Sequence, residues 1–346
     1  MGALRAGNPC SPTHREASRV TVARLEELLE PVAPQLHEFE RYVRRVLRTS
    51  VPLLNLVLWY VFRQKGKRVR PVLVLLSAAA CGEVSQRSFI GAALVELLHT
   101  ATLLHDDVVD KSPQRRGVPS VNALWGNTVA VLVGDYLLAR GLLLAIENRE
   151  YDMLEVTSEA VRRMSAAELQ HVQLNRKLRL EEEAYLEVVR GKTAALFATC
   201  CEIGALSAGA EPQLRGALRA YGEAVGTAFQ LRDDVLDYIG AGRLWGKPRW
   251  KDLQERKLTL PVLVSLRQMS PGERRRFLSL WKAAVRSRKV LEAVAQQVLQ
   301  YGGVEYTLHQ ARVYAERARQ ALQVLPPSSA REALEGFVDF AVQRAW

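Results

Sequence analysis

The chain has 346 residues, 48% hydrophobic and 25% charged, with a formal net charge of +11. That is ample apolar material for a large core. The positive excess suits nucleic acid, an anionic membrane surface or phosphorylated small molecules, and composition does not choose among the three. The four cysteines, Cys10, Cys81, Cys200 and Cys201, lack metal-ligand spacing, and two are adjacent. This argues against a zinc site and a disulfide framework and suits a reducing compartment.

Residues 1–19 contain Arg, Ser and Pro without an apolar stretch, so a flexible leader is expected there rather than a secretory signal. A single helical domain is expected from residue 20 to 346. RLEELLEPVAPQLHEFERYVRRVL carries apolar residues three and four apart, the period of a helix. VLVLL (72–76) has strand-like content, but no turn-bounded partner strands accompany it, so it reads as helix. RSFIGAALVELLHTATLLHDDVVD is apolar almost all round, the mark of a buried helix. Pro113 is expected to stop it.

VNALWGNTVAVLVGDYLLARGLLLAI also reads as helix, and its part TVAVLVGDYLLARGLLLAI is the best candidate for a membrane span. Asp135 and Arg140 interrupt it, and no transmembrane segment is expected. EVTSEAVRRMSAAELQHVQL, EEEAYLEVVRGKTAALFATCCEIGAL and LRGALRAYGEAVGTAFQLRDDVLDYI continue the helical pattern. IGAGRLWGKPRWKDLQERKLTLP is the main irregular loop, and PVLVSL (261–266) returns to helix. Shorter polar helices follow, with capping-box spacing at Ser270–Glu273 and Ser329–Glu332. The expectation is an all-α bundle with one core.

Two helix ends carry the same acidic spacing: Asp106, Asp107 and Asp110 in DDVVD, and Asp233, Asp234 and Asp237 in DDVLD. Residues i and i+4 share a helix face, so Asp106 stands with Asp110 and Asp233 with Asp237. Carboxylates packed this closely repel one another and call for a cation. Oxygen ligands without His or Cys favour a hard ion, and Mg²⁺ completes its shell with waters and substrate phosphates. One such motif alone is more often a solvated helix end. Two at the ends of apolar helices are not, because idle charge near a core is expensive. Lys65, Lys67, Arg68 and Arg70 in QKGKRVRP, Arg115 and Arg116, Lys192 beside Thr193, and Lys247 and Lys257 supply cations suited to diphosphate.

KGKRVRP, LLHTATLLHDDVVDKSPQRRG, NALWGNTVAVLVGDYLLA, RGKTAALF, GTAFQLRDDVLDY, and GKP followed by KLTLP come in an order and spacing that resembles the trans-isoprenyl diphosphate synthase family. The resemblance is to its long-chain polyprenyl members and runs from about residue 20 to the end. It implies a single-domain orthogonal helix bundle of isoprenoid synthase type around a central cavity. An allylic diphosphate would bind about three Mg²⁺ through Asp106, Asp110 and Asp233, with Asp107, Asp234 and Asp237 in support. Arg115, Lys192 and Lys247 would hold its phosphates, with Lys257 retained in the flanking loop. The Thr193 and Gln230 oxygens would lie near the allylic cation. Isopentenyl diphosphate would sit on Lys67, Arg70, His99 and Arg116. His105 falls on no substrate position and reads as a neighbour of the metal cluster.

The same resemblance places product-length control just before the first cluster, at Leu98, Ala101 and Thr102. Five residues of helix rise about 7.5 Å, the depth reached by a short prenyl tail. Small side chains leave that depth open, which implies a long product of about C30 to C50, such as a quinone side-chain precursor. Alternatives of the same fold are a shorter-chain synthase of about C15 to C25, a terpene cyclase and a non-catalytic regulatory subunit. The intact second aspartate cluster and the basic set argue against the last two. The scattered basic residues form no nucleic-acid module. A homodimer, a cytoplasmic location and peripheral membrane contact for product release are implied. Lys65, Trp250, Lys251 and Arg256 depart from the family pattern, which commonly has glycine at the first, second and fourth positions and Asp at the third.

Overall fold

The computed structural model describes residues 26–64, 68–115, 117–177, 181–239, 250–284 and 287–343. The N-terminal helical stretch tightens into a 3-10 turn at Glu30–Val32, where Pro31 sits. It continues as α1 (Ala33–Val46), α2 (Pro52–Arg63) and α3 (Val69–Cys81). The long α4 (Gln86–Val109) carries the first acidic cluster. A two-stranded antiparallel hairpin, β1 (Gln114–Arg115) and β2 (Val118–Pro119), leads to α5 (Val121–Glu147) and α6 (Tyr151–Lys177). Then come α7 (Glu182–Val189), a π-helical turn (Arg190–Ala194), α8 (Ala195–Ser207) and α9 (Pro212–Ile239), which carries the second cluster. A short α10 (Lys251–Gln254) precedes α11 (Leu260–Gln268), α12 (Pro271–Ala284), α13 (Arg288–Gln300), α14 (Gly303–Leu322) and α15 (Ser329–Gln343). The protein is all-α, with VLVLL and PVLVSL inside helices α3 and α11 as expected.

Small residues let the central helices approach closely. A Cβ on Gly134 of α5 would collide with the His105 ring of α4. On Gly204 of α8 it would lie 2.6 Å from Ser77 Cβ of α3, and on Gly222 of α9 2.6 Å from Ala198 Cα of α8. Capping fixes where elements begin. Ser85 and Ser88 form a reciprocal box at the start of α4, and Ser88 Oγ also meets Ser207 Oγ at 2.7 Å. Ser270 and Glu273 form the expected box, Ser270 N–H donating to Glu273 Oε2 at 2.8 Å.

Several expectations are corrected. The core is two apolar clusters rather than one, and α9 runs through both. Leu218, Tyr221 and Val225 belong to the first, and Ala228, Leu231, Val235 and Tyr238 to the second. The changeover along α9 is interleaved, since Ala228 belongs to the second cluster and Phe229 still packs on the first. At α15 the capping residue is Ser328, whose Oγ accepts the Arg331 N–H at 3.2 Å, one residue earlier than Ser329. Helix α4 stops at Asp110, with Lys111 left-handed (φ 49°), before Pro113 can act. Separately, α4 and α5 are long and apolar enough to cross a membrane by length and composition alone, a test that a core helix also passes. Helix α4 is mostly buried in the fold, and α5 less so. Helix α5 keeps an outer apolar face with Leu124, Val131, Leu132, Leu143 and Ile146 exposed.

Gly204 and Gly216 test the packing argument in opposite directions. Gly204→Ala is expected to lower the unfolding free energy by about 1–3 kcal/mol through overpacking against α3. Gly216, exposed in α9 with nothing near its Cβ position, is expected to gain about 0.5–1 kcal/mol as alanine. Urea unfolding of the two variants measures both.

Candidate active site

Both acidic clusters stand at the C-terminal ends of their helices, where the last unpaired carbonyls add a partial negative charge. The carboxylates divide into two groups. Asp107 is 3% exposed and accepts from Arg115 Nε at 2.8 Å and Nη2 at 2.7 Å. Its backbone oxygen accepts from Asn122 Nδ2 at 3.1 Å and from Ser112 N–H at 2.9 Å. Asp107 therefore fastens the hairpin to α4, and the hairpin carries Arg115. Asp234 is 2% exposed and accepts from Gln230 Nε2 at 3.0 Å and from the Tyr185 hydroxyl of α7. Burial, with Asp252 adding to it, pushes the Asp234 carboxyl up to about 8. Asp237 accepts the backbone N–H groups of Lys251 at 2.8 Å and Asp252 at 3.1 Å, and burial with Asp252 nearby raises it to about 7.

Asp106, Asp110 and Asp233 are more open to solvent than Asp107 and Asp234. Asp106 is held above the usual carboxylate range by burial and then by the negative charge of Glu168, with Asp110 adding to it against Lys192 and Arg115. All-oxygen donors at the negative ends of two helices have the chemistry of a hard-cation site, and among the described residues no three His, Cys, Asp or Glu side chains converge into a preformed metal cluster.

The π turn carries RGKTA, so the widened turn holds Lys192 and Thr193. Lys192 pairs with Glu168 of α6. Thr193 Oγ1 donates to Gln230 Oε1 at 2.9 Å, which extends the line Thr193–Gln230–Asp234–Tyr185. Lys257 Nζ lies 2.7 Å from Glu255 Oε2. Burial alone would lower the Lys257 ammonium, but Glu255, Asp252 and Asp110 outweigh it and raise it. Lys257 thus senses Asp110 of the first cluster and Asp252 beside the second. His171 of α6 is driven toward its neutral form by burial and then by Lys192, with Lys257 acting in the same sense and Glu168 against. Its Nε2 is buried without a hydrogen-bond partner among the described residues.

The remaining assigned positions are distributed as follows. The Arg70 guanidinium lies over the Phe197 ring, 5.7 Å from its centroid. Its neighbour Arg68 turns to Glu40 of α1. His99 is partly exposed, and its carbonyl accepts the Thr102 hydroxyl at 2.8 Å. Ala101 and Leu98 are each 2% exposed, inside the bundle. His105 leaves the cluster and turns to α5, 3.4 Å from Asp135. Lys65, Lys67, Arg116 and Lys247 lie outside the described residues, as does the leader. Glu168, His171 and Tyr185 were missed. The first two lie three residues apart on α6, a spacing that a search for charge facing the clusters would have reached. Nothing local to Tyr185 marks it.

Residues 51–298 match the family model for polyprenyl synthetase. The octaprenyl diphosphate synthase of Escherichia coli is 38% identical over 320 residues, covering 92% of this chain and 99% of that protein. The all-trans-nonaprenyl-diphosphate synthase (geranyl-diphosphate specific) of Rhodobacter capsulatus is 37% identical, covering 92% and 98%. Among solved structures, a polyprenyl synthase from Caulobacter crescentus, complexed with calcium and isoprenyl diphosphate, superposes with a TM-score of 0.86. It is 35% identical, with 93% of this chain and 98% of that one covered. With its isoprenoid synthase fold, this chain belongs to the polyprenyl synthetase family and is a prenyltransferase.

Proposed function

We propose that the chain joins isopentenyl diphosphate head-to-tail to an allylic prenyl diphosphate, with Mg²⁺, and builds a long all-trans polyprenyl diphosphate. The observation that carries this reading is the set of charges around the two acidic helix ends. Lys192, paired with Glu168, acts against the rise of the Asp106 carboxyl, and Asp110 and Asp252 help to raise the Lys257 ammonium, which is paired with Glu255. A diphosphate bound there would have lysine charge and carboxylate at hand.

Asp106, Asp110 and Asp233 would hold the metal, and Asp107, Asp234 and Asp237 would set the surrounding frame. Bound Mg²⁺ neutralises the leaving diphosphate and lowers the barrier to ionisation. Lys192, Lys257, Arg115 and Lys247 grip the phosphates and stabilise the charge that develops as the C–O bond breaks. The bonding pair leaves with the diphosphate. Thr193 and Gln230 present oxygen to the allylic carbon. Lys67, Arg70, His99 and Arg116 orient isopentenyl diphosphate so that its double bond attacks that carbon. The proton lost from the adduct goes to the departing diphosphate, the base at hand. No protein nucleophile is needed.

A product of about C30 to C50 is supported by the names of the two relatives and by the small side chain of Ala101 below the first cluster. The reading further takes the protein as a cytoplasmic homodimer, with Mg²⁺ at about three per site. The outer apolar face of α5, with Leu169 and Val172 of α6 also exposed, supports a dimer interface.

Asp106→Ala and Asp233→Ala are each expected to lower turnover at least about 10²-fold while the far-ultraviolet circular dichroism stays helical. Near-normal turnover in either would remove the metal assignment. Ala101→Phe is expected to shorten the product when prenyl chains made from farnesyl diphosphate are sized, and an unchanged distribution would sink the tunnel reading. Leu132→Asp, at the 62% exposed centre of the α5 face, is expected to halve the mass measured by light scattering.

A further inference from the structure

The segment from Trp250 to Lys257 is fastened at both ends. At its start, the Trp250 N–H donates to the Asp237 carbonyl at 3.3 Å, while the Asp237 carboxylate takes the next two backbone N–H groups, of Lys251 and Asp252. These are the first orphan donors of helix α10, so Asp237 caps it from another helix. Trp250 stands there at φ 60° and only 8% exposed, packed into the second core. A bulky residue in the left-handed region is costly and persists only where its surroundings hold it. At the far end, Leu253 is fully buried and its carbonyl accepts the Trp281 indole N–H at 2.8 Å. Arg256 is again left-handed (φ 58°), and the Lys257 N–H closes onto the Asp252 carbonyl at 2.8 Å. Glu255 then takes both lysine side chains, Lys251 at 3.3 Å and Lys257 at 2.7 Å.

We propose that Asp237 is a positioning residue: it binds the Trp250–Lys257 turn to helix α9 and thereby fixes where the Lys257 ammonium, held by Glu255, stands. This rests on the reading of Lys257 as a diphosphate contact. Within DDVLD, Asp233 is the carboxylate that the proposed function assigns to the metal, while Asp237, one turn later, is bonded to the protein's own backbone. The departures at Trp250, Lys251 and Arg256 make sense together on this view. The turn needs two left-handed residues, and the buried indole supplies at its start the anchorage that offsets the strain. Lys251 contributes its backbone N–H to Asp237 and its side chain to Glu255, so its positive charge stays out of the metal cluster.

The test compares full-length Asp237→Asn, Asp237→Ala and Asp233→Asn with the wild type. Hydrogen exchange of the Lys251 and Asp252 amides is measured without metal, alongside steady-state kinetics against farnesyl diphosphate and Mg²⁺. Asp237→Ala is expected to speed exchange of those two amides about tenfold and to raise the KM for farnesyl diphosphate by a similar factor. Its half-saturating Mg²⁺ concentration stays within about twofold of the wild type, whereas that of Asp233→Asn rises. Asp237→Asn keeps one of the two acceptor oxygens and turns an NH2 toward the other backbone N–H, so it is expected to protect one of the two amides and to give a KM between those of Asp237→Ala and the wild type. Unchanged exchange in Asp237→Ala would overturn the proposal. So would a Mg²⁺ requirement in Asp237→Asn raised as far as in Asp233→Asn. Exchange is read on the metal-free chain, so it stands apart from the activity: a wild type that elongates no prenyl diphosphate would sink the functional reading and leave the exchange result intact.

Discussion

The structure depends on carboxylates gathered at the negative ends of two apolar helices, α4 and α9. Each helix end adds its own partial charge to that of the aspartates. Burial makes the sum costlier, as the raised Asp106, Asp234 and Asp237 carboxyls show. Such an arrangement is stable only with cations close by, and the fold supplies them from outside both helices. Lys192 arrives on the π turn between α7 and α8, and Lys257 on the segment after α10. Protein cations temper the repulsion, and on the proposed reading metal and substrate phosphate would complete the neutralisation.

Holding the clusters in register takes close packing of the helices that carry them. Gly134 lets α5 lie against the His105 face of α4, while Gly204 and Gly222 bring α3, α8 and α9 into contact. Into this rigid set the chain inserts one irregular turn, at Arg190–Ala194. A π turn widens the helix by one residue and turns the following side chains about its axis. Lys192 can then pair with Glu168 while Thr193 reaches Gln230.

The acidic clusters were legible because helical period and i,i+4 spacing are local properties, and both carboxylate sets could be counted from the sequence. So was the all-α class, since no turn-bounded strand pairs surround VLVLL or PVLVSL. What escaped was non-local. The Gln114–Pro119 hairpin is held by Arg115 on Asp107, inside the same motif, and by Tyr60 donating to the Pro119 carbonyl at 2.6 Å, a partner that no window around the hairpin contains. The two-cluster core escaped because α9 carries apolar residues along both clusters, and periodicity alone does not show where one ends and the other begins. Ser329 was off by one because Ser328 carries the same hydroxyl. Glu168, His171 and Tyr185 had no motif of their own and became visible only through what they face.

Hydrogen-bond direction extends the argument from charge to chemistry. Asp234, when ionised, can only accept, and it is met by two donors, the Tyr185 hydroxyl and Gln230 Nε2. That fixes the Gln230 amide: its nitrogen faces Asp234, so its oxygen faces Thr193. The Thr193 hydroxyl must then spend its one proton on Gln230 Oε1, and its remaining lone pairs point elsewhere. Burial pushes the Asp234 carboxyl up to about 8, while the hydrogen bonds from Tyr185 and Gln230 act against that rise and favour the ionised form. On the proposed reading, with Thr193 beside the allylic carbon, this buried carboxylate would set which way the threonine hydroxyl turns, so that its lone pairs and not its proton would meet the developing carbocation.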